Sequence, residues 1–238
     1  MWSAIRVGPV LITAVLLFSG CSDLPRDQED TFKHIKGTGR LRVGLIENPP
    51  WVIRTSDEPA GAEVELIRQF AAEHGAQPEW HWGGEEKLLG ALEKFELDLV
   101  AGGFSDSTPW RNRIGLTSAF YREKFDIGVP AGERTVTELT GREISVGDDA
   151  RLTGFLREQD AVPVESGDSP EKGARPVAAP EWKLQKLGLT PSGSKLHTDR
   201  HVIATSPGAN HLVKRLDEFL SARKGEIPSM LQRWEETK

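Results

Sequence analysis

Residues 97–121, LDLVAGGFSDSTPWRNRIGLTSAFY, are the stretch around which the rest of the chain can be organised. Residues 97–101 form a short apolar run with the composition of a buried parallel strand. It stops at Gly102 and Gly103, where the backbone can turn with no Cβ in the way. A polar bend follows, in which Ser105, Asp106, Ser107 and Thr108 offer hydroxyls, a carboxylate and free N–H groups just past the carboxyl end of a strand. That is where open α/β sheets take ligands. Pro109 then fixes the chain, Trp110 adds a flat apolar face, and Arg111 and Arg113 add guanidinium forks able to hold a carboxylate in two hydrogen bonds. A surface loop with a solvated arginine is the alternative that composition leaves open.

Upstream, residues 40–46 (RLRVGLI) alternate and are rich in branched side chains, which predicts a strand. It ends in Glu47-Asn48-Pro49-Pro50-Trp51, a stiff loop that projects a ring. Residues 60–74 predict a helix through Val64, Ile67, Phe70 and Ala71, with Gly75 as its cap; 77–82 predict a strand and 85–94 a second helix through Leu88, Leu89 and Leu92. Strand and helix alternating in this way imply a parallel sheet with right-handed crossovers. Downstream, 124–129 is extended, and the alternation then restarts with a strand at 143–146, a helix at 149–159 and a strand at 161–164. A restart predicts a second lobe. Residues 165–175 (ESGDSPEKGAR) are turn-like where a helix would be expected, so that lobe is reduced. A strand at 176–179, a helix at 180–187 with Pro180 in its first turn, a returning strand at 195–205, and closing helices at 209–223 and 227–234 complete the reading.

The order of segments resembles family 3 of the bacterial extracellular solute-binding proteins. These have the periplasmic-binding-protein-like type II fold of amino-acid import systems: a strand ending in Ala-Gly, a Thr-x-Glu-Arg turn, then a Phe-Ser-x-Pro-Tyr segment leading to a hinge. The matching residues are Ala101-Gly102, Thr108-Pro109-Trp110-Arg111 and Leu116-Thr117-Ser118-Ala119-Phe120-Tyr121. The resemblance runs from about residue 39 to 234 and is stronger in the first half. Trp110 stands where the family has Glu, and the turn before Thr108 is longer, so Arg113 competes with Arg111 for the carboxylate-binding role. The resemblance implies an α/β, two-lobed architecture in which each lobe is a small, mostly parallel sheet flanked by helices. The expected divisions are an export signal at 1–20, a tether at 21–38, lobe one at 39–130, a short lobe two at 131–206 and closing helices at 207–238.

It further implies a non-enzymatic protein that captures a small polar solute between the lobes, by hinge closure, and presents it to an ABC permease. On the first lobe the ligand-facing set would be Glu47, Trp51, Gly103, Asp106, Thr108, Trp110, and Arg111 or Arg113. On the second lobe the family uses a Gly-Ser/Thr-Thr turn at a helix start to hold a carboxylate. Here that turn is Gly147-Asp148-Asp149-Ala150. Carboxylates at a helix start also act as caps; if Asp148 and Asp149 face the cleft, they favour a cation. Glu181 and Trp182 lie near where the family pairs an acid with the ligand's amino group. Together these point to an amino acid or an amine-bearing compound.

The first residues read as an export signal: Arg6 at a weakly positive start, an apolar run to Phe18, and small residues before Cys21. Leu17-Phe18-Ser19-Gly20-Cys21 looks like a bacterial lipobox, with Cys21 lipidated and the body anchored at a membrane, periplasmic or at the cell surface. Cys21 is the single cysteine, so no intramolecular disulfide is expected. Without the signal, 36 acidic residues face 29 basic ones, a net charge of −7, which argues against nucleic acid as a partner.

A monomer with no cofactor is expected. Rival classes rest on little. Ser221-Ala222-Arg223-Lys224 has the Ser-x-x-Lys spacing of serine β-lactamases without their other motifs. His197 and His201, four apart on one strand face, are too separated to share a metal. Some proteins of the fold are dehydratases and others are sensing lobes of lytic transglycosylases, for whose catalytic domain the chain leaves no room after Trp234. A third alternative is an accessory or sensory lipoprotein whose degenerate second lobe no longer binds a solute.

Overall fold

The computed structural model describes residues 30–132, 136, 138–147, 149–165 and 175–235. The stretch expected to be an export signal, Cys21, Asp148 and most of the turn-like stretch 165–175 fall outside them.

Helix α1 (Thr31–Thr38) starts under Asp30, whose carboxylate accepts from the Lys33 N–H at 3.2 Å, and stops at Gly39 in the left-handed region. Strand β1 (Arg40–Leu45) follows, buried from Val43 to Leu45 because it is paired on both sides. It runs parallel to β2 (Gln77–Trp82) and β3 (Leu99–Ala101), with Val43 opposite Trp80 on one side and Leu99 on the other. Helices α2 (Ala62–Glu73) and α3 (Glu85–Glu93) are the crossovers, and each buries the stripe that its sequence spacing predicts. Asp98, fully buried at the start of β3, takes the Arg42 N–H at 2.7 Å and its guanidinium at 2.6 Å, pinning the two parallel strands together.

The chain then passes β4 (Gly115–Leu116) and enters a second sheet through β5 (Tyr121–Val129). Beyond it come β6 (Glu143–Val146), α4 (Ala150–Glu158), β7 (Val162–Glu165), β8 (Val177–Pro180), α5 (Glu181–Lys186) and β9 (Thr190–Pro191). Then β10 (His197–His201) leads back to β11 (Ala204–Thr205) in the first sheet, and α6 (Asn210–Arg223) and α7 (Ile227–Glu235) close the chain. The strand orders are β2-β1-β3-β11-β4 and β10-β5-β8-β6-β7, with β9 on β5. Both sheets are mixed rather than mostly parallel. The strands by which the chain enters and leaves run against their neighbours: β5 against β8 and β10, and β11 against β3 and β4.

Two expected boundaries shift for the same reason. β5 starts at Tyr121 instead of residue 124 because its first residues pair with β10, His201 opposite Tyr121 and Asp199 opposite Glu123. The change of sheet therefore falls at residues 117–120, not near 130. The strand expected at 195–205 is broken at Val202 and Ile203, where the chain changes sheets again. The two crossings are bonded to each other: Thr117 N–H to Ile203 O at 3.0 Å, Ile203 N–H to Thr117 Oγ1 at 2.9 Å, and Phe120 N–H to His201 O at 3.0 Å. They make a two-stranded hinge.

Helix α7 touches both halves. Arg233 and the Trp234 indole donate to Glu65 of α2, while Glu235 takes Lys183 of α5 at 2.8 Å and Lys186 at 3.1 Å.

Candidate functional site

A cleft of about 570 Å³ opens between the two sheets. One wall comes from the loop after β1 and the loop after β3: Asn48, Pro49, Pro50, Trp51 and Gly103. The facing wall comes from the start of α4 and from β8 and α5, including Gly147, Asp149, Arg151, Pro180 and Lys183; Glu123 and His201 of the hinge strands sit between. Gly103 is in the left-handed region at φ 69°, and a Cβ there would run into the Asn48 amide, so only glycine lets the loop close over Asn48 and Trp51.

The hinge side of the cleft is a stack of rings and carboxylates. Trp51, 3% exposed, lies on the His201 imidazole at 4.0 Å and 25°. His201 Nε2 is 3.0 Å from Glu123 Oε2, and the other Glu123 oxygen accepts the Trp182 indole N–H at 2.7 Å. Asp199, opposite Glu123 across the strand pair, accepts from Arg151 Nη1 at 2.9 Å and lies 2.9 Å from His197 Nε2. Burial alone would lower the Arg151 pKa, but the carboxylates of Asp149 and Asp199 outweigh it and hold the guanidinium above its ordinary range. Tyr121 is pushed up by burial and then by Glu123 and Glu181.

Behind the first wall, Glu63 is wholly buried and accepts the amides of Gly102 at 2.8 Å and Gly103 at 3.0 Å. Burial pushes its carboxyl up, against the Gly103 amide, the His201 charge and the Gly102 amide, which pull the other way. Glu63 Oε1 and His201 Nδ1 are the buried side-chain atoms without a hydrogen-bond partner among the described residues.

Of the residues expected from sequence, the structure brings Trp51, Gly103, Asp149 and Trp182 to this cleft. Asp149 is also the cap of α4, accepting from Arg151 N–H at 2.9 Å and Leu152 N–H at 3.3 Å, so the capping alternative describes what its carboxylate does. Asp148 lies outside the described residues. Glu47 faces Arg54 at 3.7 Å, and Glu181 faces Lys124 at 4.0 Å. The arginine loop turns elsewhere. Thr108 caps a 3-10 turn at Pro109–Asn112, Trp110 packs on the cluster of Leu88, Leu92 and Ile114, and Arg113 lies over the Trp110 ring at 4.4 Å with both nitrogens on Glu93 at 2.6 and 2.7 Å. Arg111 is exposed, Asp106 is tied to Arg200 at 2.9 Å, and none of these residues lines the cleft.

Sequence reasoning missed Glu63, Glu123, Arg151 and Asp199, and named His201 only beside His197 as a metal pair that it set aside. One signal was available. His197, Asp199 and His201 alternate in HTDRH, and alternation puts all three on one face of a strand. What joins them is Glu123, a neighbour that only strand pairing supplies.

Residues 41–237 match the family of bacterial extracellular solute-binding proteins, family 3. The chain belongs to this family. Among solved structures, the solute-binding fold superposes on an ancestral cationic amino acid solute-binding protein with a TM-score of 0.66, at 16% identity over 86% of this chain and 99% of that one. It also superposes on the L-cystine solute receptor of Neisseria gonorrhoeae, in its unliganded open conformation, with a TM-score of 0.64, at 14% identity over 86% and 94%. A curated relative, the membrane-bound lytic murein transglycosylase F of Vibrio campbellii, is 29% identical over 121 residues, half of this chain and 22% of that protein. The chain thus matches about a fifth of the length of such relatives, which are enzymes by name.

Proposed function

We propose that this family 3 protein is a non-enzymatic receptor for a zwitterionic or amine-bearing small solute, such as an amino acid. In this reading it is tethered to a membrane through lipidated Cys21, acts as a monomer in the periplasm or at the cell surface, and hands its solute to an ABC permease. One observation carries the reading: a single cleft is lined from both sheets and the hinge, with the Arg151 guanidinium on the second wall and the carboxylates of Glu123 and Asp149 within the same space. Arg151 suits the solute's carboxylate and the acids suit its ammonium. This assignment reverses the expected one, which gave the carboxylate to Arg111 or Arg113 of the first lobe. Hinge closure follows from the two bonded crossings, because a solute touching both walls favours the closed population.

The test is calorimetric titration of the purified chain with amino acids, amines and small acids in the presence of a chelator. Saturable binding of an amine-bearing solute without turnover supports the reading. Binding confined to neutral sugars, or release of a chemically altered product, defeats it.

A second reading has its own support in the transglycosylase relatives, in which a region like this one is part of a longer enzyme. There the fold would serve as an accessory or sensory module. No thermal stabilisation by any compound of the panel, together with capture of a cell-wall hydrolase, would favour that module over the receptor.

A further inference from the structure

The hinge carries a cluster of which the proposed solute capture uses only Glu123, leaving Asp199 and His201 without a role. Glu123, Asp199 and His201 are 4%, 7% and 3% exposed, and one ligand atom from each lies within 4.8 Å of the others. Strand geometry builds it: Asp199 and His201 are two apart on β10, hence on one face, and Glu123 is directly opposite Asp199 on β5. We propose that this trio is a site for a divalent transition-metal ion, Zn²⁺ or a borderline ion like it, at the hinge end of the cleft.

The chemistry of the donors fits. One imidazole nitrogen with two carboxylate oxygens suits Zn²⁺, Mn²⁺, Co²⁺ or Ni²⁺ rather than Ca²⁺, which takes six to eight oxygens. Bonds of about 2.1 Å place tetrahedral ligand atoms roughly 3.4 Å apart, so no pair of the trio needs to close by more than about 1.4 Å, while His201 and Glu123, now 3.0 Å apart, open slightly. The His201 ring sits 3.0 Å from Glu123 and the His197 ring 2.9 Å from Asp199. A ring proton on His201 Nε2 occupies the place a cation would take, and ligation moves it off that nitrogen.

The surroundings are those of ligands held from behind. The Trp182 indole fixes Glu123 Oε1, Arg151 fixes Asp199 Oδ2, and Phe155 stacks on His197 at 4.4 Å. Each carboxylate oxygen has lone pairs left for a metal. The unpartnered His201 Nδ1 would carry the ring proton once Nε2 is a ligand, and Glu63, whose Oε1 is likewise unpartnered, is the carboxylate whose charge it feels. Glu123 and His201 line the cleft, so the ion has both an entry path and an open side.

The test is titration of the purified, chelator-stripped chain with Zn²⁺ and Co²⁺, with no solute present. One equivalent is expected to bind, raising Tm and giving cobalt absorption bands of a nitrogen- and oxygen-ligated ion. Glu123→Gln and His201→Gln are each expected to weaken binding at least a hundredfold, and Trp182→Phe, which keeps an aromatic ring but removes the hydrogen bond behind Glu123 and part of the packing, by about tenfold to a hundredfold. X-ray absorption of the zinc-loaded wild-type chain keeps the test independent of whether the variants fold: one imidazole with oxygen neighbours is expected. No saturable binding, unchanged affinity in Glu123→Gln, or a shell of several imidazoles drawn from surface histidines would overturn the proposal. Because the solute titration is run with chelator and this one without solute, the two readings fail separately.

Discussion

The two walls of the cleft solve the same problem in opposite ways. The first-sheet side spends its polar groups on other protein groups: Glu63 holds the Gly102 and Gly103 amides, Glu93 holds Arg113, and Asp106 reaches Arg200 of β10 in the second sheet. What it shows to the cleft is Asn48, two prolines, Trp51 and Gly103, none of them charged. The second-sheet wall keeps charges in view at the start of α4 and along α5, with Asp149, Arg151 and Lys183. The difference teaches that a first wall preorganised by internal hydrogen bonds leaves recognition to the second.

The largest effect is expected where the walls meet. Trp182 comes from α5, the helix that follows β8 of the second sheet, yet packs in the first sheet's core with Trp51, and its indole holds Glu123. Trp182→Ala should cost about 3–5 kcal/mol in urea unfolding through cavity and lost contacts. Trp182→Phe should cost about 1–3 kcal/mol, for one unsatisfied buried carboxylate oxygen. Equal losses in the two variants would show that the hydrogen bond, not packing, joins the walls.

Next comes the contrast of arginines. Arg151→Ala should weaken binding of a carboxylate-bearing solute by about 1.5–3 kcal/mol, the range for hydrogen bonds to charged groups. Arg111→Ala should leave the Kd within about 0.5 kcal/mol, as surface changes do. Calorimetry on both variants decides it, and the reverse result would return recognition to the first wall.

How much of this was legible from sequence follows the same division. The strands and helices of the first sheet carry hydrophobic periods of two and 3.6 that dictate their faces, so β1, α2, β2 and α3 fall where the pattern puts them. The Trp51 loop was legible because prolines stiffen it. Arg111 does not line the cleft, and the turn that carries it packs Trp110 against Leu88 and Leu92 of α3. That is a tertiary effect with no local trace. Glu123 and His201 were illegible for another reason: 78 residues separate them, and only the antiparallel pairing of β5 with β10 makes them neighbours.

Acid titration sharpens the comparison further, because carboxylates on the two sides shift in opposite directions. Burial works against Glu235, but the Lys183 hydrogen bond and charge, with those of Lys186, hold it below its ordinary value of 4.5. Its contribution is therefore full above about pH 4.5 and lost as pH falls through the folded value. Glu63, held high by burial, contributes fully below its unfolded value and loses that contribution as pH rises through the folded one. Urea midpoints against pH for wild type, Glu235→Gln and Glu63→Gln should show the first gap closing towards acid and the second closing towards base. Gaps that do not change with pH would mean that neither carboxylate titrates differently on folding.

The smallest effect belongs to Arg113. Its guanidinium meets Glu93 in two hydrogen bonds and lies over Trp110, yet the side chain is 58% exposed, so water and salt screen the pair. Arg113→Ala should cost about 0.2–1 kcal/mol of stability, less in high salt, and should leave solute affinity unchanged. The pair's job on this account is to hold Trp110 against α3, which keeps the loop turned from the cleft. A variant that lost solute binding while keeping its stability would mean that Arg113 leaves Glu93 and swings into the cleft when the solute arrives. The first wall would then be a latch that opens rather than a closed surface.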